Sequence, residues 1–173
     1  TTKVNVAVCL VGILLTIGCM HATTAAPPTW MFVLSGQSNM VGQGKTSELS
    51  DELKAAPENV ELCISGRTTE FARQSTFGPE LTFAHEIGKA FPRQEILLIK
   101  YASGGTSLFA WAPDWKKEDA ALTDNVNAGR LYENLMRYVQ RCTEGRETKL
   151  MGVFWMQGER DARFPAAGTI YEK

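Results

Sequence analysis

With 173 residues, 44% of them hydrophobic, the chain is long enough to bury a core as one globular domain and too apolar for a disordered tail. Its formal net charge of −1, with no basic block of five or six residues, removes the electrostatic reason to expect nucleic acid or an anionic membrane as partner. A small neutral or polar substrate is the remaining expectation.

The first 26 residues differ from the rest. Lys3 precedes the apolar stretch "VNVAVCLVGILLTIG", interrupted by Asn5 and Thr16 and short for a membrane span, and the small residues "ATTAAPP" follow. This is the anatomy of a secretory signal, and residues 1–26 are read as one. Cleavage near Ala25 or Ala26 is one exit. Lipidation of Cys19 is another, because "LTIGC" loosely resembles a bacterial lipobox with Thr16 where that motif has Leu; an uncleaved anchor is the third. The expected location is secreted or periplasmic, with no stable membrane insertion after processing. The chain opens on Thr1 rather than Met, so its start is expected to be missing.

From Trp30 onward the pattern alternates. "WMFVLS" predicts a buried strand, "TSELSDELKAA" a short helix, "NVELCIS" a strand, and "GPELTFAHEIGKAF" a helix with Leu81, Ala84, Ile87 and Phe91 along one stripe. "EILLIKYA" is the next strand. A longer helix is expected over residues 127–143, with Leu131, Leu135, Tyr138, Val139 and Cys142 at helical spacing, before the strand "KLMGVFWMQ". Val-, Ile-, Leu- and Phe-rich strands between amphipathic helices predict an α/β fold, a mainly parallel sheet covered on both faces as a three-layer α/β/α sandwich. Residues 30–173 read as one domain without internal repeats.

Two of the four cysteines fall in the leader. Cys63 and Cys142 remain; they can pair in an oxidising compartment, but buried free thiols are the reading adopted. There is no CxxC and no His/Cys cluster, so no metal or other cofactor is expected.

The polar motifs share a position. "GQSN" leaves the end of the first strand, "SGGTS" (103–107) the end of "EILLIKYA", and "QGERD" (157–161) the end of the last strand. In open α/β sheets ligands bind at that edge, where loops from different strands converge. The three loops also carry what acyl transfer requires. A serine after Gly-x can present its hydroxyl on a tight turn, while backbone N–H groups at Ser38 and at a glycine of "GGT" can face a developing oxyanion. The Gln157 amide can add a third donor, with Asn39 as another candidate.

The combination "GQSNM", "FGPEL", "YASGGTSL" and "WMQGERDA" resembles the sialate O-acetylesterase-like domain, also called carbohydrate esterase family 6, of the SGNH (GDSL-like) hydrolase superfamily, with its flavodoxin-like sandwich. It differs from the α/β-hydrolase elbow G-x-S-x-G, because Met40 stands where the last glycine would be. The resemblance covers residues 30–165. It implies Ser38 as catalytic nucleophile and an oxyanion hole of the Ser38 N–H, the Gly105 (or Gly104) N–H and the Gln157 amide. Gln37, Asn39, Gly78, Pro79, Gly104, Trp111 and Glu159 would line the substrate pocket. The implied activity is removal of acetyl groups from an O-acetylated carbohydrate, of xylan or sialic-acid type, through an acyl-enzyme without a metal.

One part of the family pattern is not reached. Its base comes from a D-x-x-H motif near the C-terminus, and the chain reaches Lys173 first. Of the two histidines, His21 lies in the leader and His85 in mid-helix, where it is expected to pack or face solvent. The chain is therefore expected to be truncated, to lack activity by itself and to expose apolar surface that a further helix would cover. Glu159 and Asp161 can act as an acid/base pair or simply organise their loop; Arg160 can face solvent or substrate. Trp111 and Trp115 can stack on a sugar or pack beneath a loop. Gly78 and Pro79 can also simply start a helix. The rival function is an inactive, carbohydrate-binding relative; a phosphate-binding role for "SGGTS" is set aside because the P-loop lysine and spacing are missing.

Overall fold

A computed structural model describes residues 26–168. Residues 1–25 of the proposed leader, including Cys19 and His21, and the last five residues lie outside them. In chain order the elements are β1 (Thr29–Gly36), α1 (Ser38–Val41), β2 (Gly44–Lys45), α2 (Asp51–Lys54), β3 (Val60–Ile64), β4 (Arg67–Thr69), β5 (Thr76–Phe77), α3 (Glu80–Ala90), β6 (Ile96–Ala102), α4 (Lys117–Ala121), α5 (Leu131–Thr143), β7 (Thr148–Met156) and α6 (Pro165–Gly168).

The five strands of the main sheet lie in the order β4-β3-β6-β1-β7. β3, β6, β1 and β7 are parallel, and β4 folds back antiparallel on β3. The fold is therefore the expected α/β architecture with a mainly parallel sheet. Alternation along the strands sorts the core into two layers. Phe32, Leu34, Leu62, Ile96 and Leu98 pack with Leu81 and Ala84 of α3 on one face. Met31, Cys63, Leu97 and Ile99 pack with Val139 and Cys142 of α5 on the other.

Several local expectations change. Residues 46–56 do not form one helix: a 3-10 turn over Thr46–Glu48 and the single turn α2 are separated by extended backbone at Leu49. Leu49 and Leu53 are the only large apolar side chains there, too little to hold a continuous helix against the sheet. The long helix starts at Leu131, because Gly129 stands at φ +59 just before it. The β3–β4 hairpin went unforeseen; its signal was "SG", whose Ser65 (φ +49) and Gly66 (φ +78) both adopt the left-handed conformation of a type I′-like turn.

The free-thiol reading of Cys63 and Cys142 is corrected: they form a disulfide joining β3 to α5. Nearby, Arg146 grips Glu61 with two hydrogen bonds of 2.7 and 2.9 Å, tying the approach to β7 onto β3. The bonds from that guanidinium hold the Glu61 carboxyl below the usual carboxylate range.

Candidate active site

Ser38 begins the single helical turn α1 at the carboxyl end of β1. The backbone ahead of it is laced to both neighbouring strands. Ser103 N–H donates to Gly36 O at 3.0 Å, and Gln37 N–H donates to Met156 O at 2.8 Å. Gly36 adopts φ +141, and a Cβ there would lie 2.0 Å from Met156 O. Only glycine allows so close a passage past β7. The connections leaving β1 and β6 run in opposite directions along the sheet, towards β3 and β7. Such a reversal opens a crevice at the carboxyl edge.

Around Ser38 the three predicted loops meet. Gly104 lies against it, since a Cβ on Gly104 would be 3.7 Å from Ser38 Cβ. Gly105, at φ +69, turns its carbonyl towards Asn125 Nδ2 and Arg160 Nη1. Gln157 donates from Nε2 to Thr106 O at 3.0 Å and accepts from Gly158 N–H at 2.8 Å, which fixes its amide beside the "SGGT" loop. Asn39 Nδ2 donates to Glu159 Oε1 across the rim, so two expected pocket residues are bonded to each other. The Ser38 hydroxyl donates to Gln37 Oε1 at 2.5 Å, and Gln37 is buried.

The other carboxylate of the last loop has a structural task. Asp161 is buried; its carboxylate accepts from Ser107 Oγ at 2.5 Å and from Leu108 N–H at 2.9 Å. Arg160 is half-buried, and its guanidinium donates to the carbonyls of Thr123, Asp124 and Gly105 at 2.7, 2.8 and 3.2 Å. One side chain thus fastens the loop after β7 to the loop after β6. Nothing in the sequence marks this role, because its partners are main-chain carbonyls in an irregular segment.

Trp111 is also corrected as a sugar-stacking residue. It is buried beneath the loop, donates from Nε1 to Thr106 Oγ1 at 3.2 Å and meets Tyr101 and Trp155 edge-on. Trp115 is half-buried under the guanidinium of Arg130. Gly78 packs against α1, and Pro79, just before α3, lines an apolar cavity of about 380 Å³ with Leu34, Met40, Phe83, Phe154, Trp155 and Met156. His85 Nε2 lies 3.3 Å from Leu53 O, turned to α2. Among the described residues no group of three or more His, Cys, Asp or Glu could hold a metal ion.

Residues 28–173 match the family described as carbohydrate esterase, sialic acid-specific acetylesterase. The chain belongs to that family. Among solved structures it is similar to a protein from Arabidopsis thaliana, at 22% identity and a TM-score of 0.58, over 78% of this chain and 59% of that one. It is also similar to NanS, at 19% identity and a TM-score of 0.52, over 81% of this chain and 57% of that one. These similarities concern the fold, and the chain spans less than two thirds of the length of either protein. No curated protein sequence matches it.

Proposed function

We propose that the chain is the nucleophile-bearing part of a secreted serine esterase that removes O-acetyl groups from carbohydrate. The observation that carries this reading is the meeting of Ser38, Gly104 and Gln157 from three strand ends. Family membership supports the acetylated-carbohydrate class. In the proposed reaction Ser38 Oγ bonds to the acetyl carbonyl carbon while a base takes its proton. The resulting oxyanion is stabilised by N–H groups of Ser38 and of Gly104 or Gly105 and by the Gln157 amide. Collapse expels the sugar oxygen, which regains a proton, and water then converts acetyl-Ser38 to acetate and free serine.

The base in this proposal is the histidine of a D-x-x-H segment following Lys173. His85, bonded to Leu53 O, is not assigned the role. The Cys63–Cys142 disulfide supports an oxidising compartment and so the secretory reading of residues 1–26.

The rival is a carbohydrate-binding relative without turnover, in which the Ser38 hydroxyl keeps its bond to Gln37 Oε1 when the sugar is bound. Hydrolysis of p-nitrophenyl acetate and of acetylated xylan or sialic acid by the protein expressed from its whole natural reading frame separates the two. Turnover is expected, with its loss in Ser38→Ala at unchanged circular dichroism. Binding of the acetylated sugar without turnover would establish the rival.

A further inference from the structure

β6 is apolar up to Lys100, whose side chain points into the core layer beneath α1 rather than to solvent. Its side chain is 7% exposed and that of its partner Glu80 2%. Removing two charges from water is costly, and an apolar pair of similar volume often serves stability as well or better. What the pair touches suggests another role. Lys100 Nζ donates to Glu80 Oε2 at 2.5 Å and to the main-chain carbonyl of Val41 at 2.8 Å. The second oxygen of Glu80 accepts from Gly78 N–H at 2.9 Å.

Val41 ends α1, the turn that Ser38 begins, and its carbonyl is among those a helix end leaves without an internal partner. α1 has four residues and no side-chain cap at its start, so little within the turn fixes its direction. From behind it is wedged in place: a Cβ on Gly42 would lie 2.1 Å from Gly78 Cα, and one on Gly78 2.8 Å from Met40 O. The ion pair holds both sides of this wedge, the Val41 carbonyl and the Gly78 amide.

We infer that Lys100 and Glu80 are positioning residues for the nucleophile, an internal clamp that sets the direction of α1 and thereby aims the Ser38 hydroxyl at the oxyanion donors. The inference rests on the proposed role of Ser38. Burial pushes the Lys100 ammonium down from its ordinary range while the facing Glu80 carboxylate opposes that shift.

The test uses the protein expressed from its whole natural reading frame. Lys100→Met with Glu80→Gln removes both charges, leaves an acceptor for Gly78 N–H and abolishes the bond to Val41. Rates on p-nitrophenyl acetate are normalised to active sites titrated with a small fluorophosphonate. The expected result is a fall in kcat on the order of 10²-fold with KM little changed, since a misplacement of about 1 Å can cost that much. Glu80→Gln alone, the milder variant, should lose less in the same direction. A wild-type kcat per titrated site in whichever of these variants folds overturns the clamp, as does a loss confined to KM. An inactive wild-type protein overturns the Ser38 reading and the clamp with it, so the two failures are distinguishable.

Discussion

At the proposed site Gln157 is held by the main chain of a neighbouring loop through its bond to Thr106 O, and Gly104 lies against Ser38, so the proposed donors are placed in advance of substrate. Gln157 is the side chain among them whose removal can be read most simply. Gln157→Ala should lower kcat by about 10²- to 10³-fold, the usual effect of losing one oxyanion donor, with a smaller change in KM on an acetyl ester. A kcat equal to wild type would take Gln157 out of the hole. These positions were legible because strand periodicity alone places "GQSN", "SGGTS" and "QGERD" at one sheet edge. Arg160 and the Lys100–Glu80 pair were not, because a cation that serves main-chain carbonyls leaves no spacing pattern in its own sequence.

Among the elements, α5 has the most distinctive attachment. It is an amphipathic helix with few fully buried residues, Leu131 and Cys142, and a covalent link to the buried strand β3. The disulfide closes a loop with a sequence separation of 79, for which chain entropy predicts about 4 kcal/mol of stabilisation. Cys63→Ala with Cys142→Ala should therefore lower the denaturant midpoint by an amount corresponding to about 4 kcal/mol; an unchanged midpoint would show that packing alone holds α5. The helices α3 and α5 and the four parallel strands were legible because long apolar stripes and runs specify them. The bond between the cysteines was not, since hydrophobic patterning gives the face of each residue but not which residues meet across a layer. The short pieces β2, β4, β5 and α2 depend on single turns and on tertiary contacts, and so left weak signals.

At the scale of the molecule the sheet is asymmetric. The strand β6 is buried on both faces, as parallel strands usually are, whereas the edge strand β7 exposes Leu150, Val153 and Trp155 at 54, 58 and 41%. An apolar surface of this kind is a place where further protein or a ligand can be buried. Ser38 and Gln157 leave the ends of β1 and β7, so in the proposed site their arrangement depends on that edge being held. The most direct measurement is mass spectrometry of the protein expressed from its whole natural reading frame, after reaction with a small fluorophosphonate. The account predicts one adduct, on the peptide containing Ser38, that forms as esterase activity is lost and is absent from Ser38→Ala. Continued hydrolysis with Ser38 unlabelled, or an adduct on another serine that tracks the loss of activity, would contradict it.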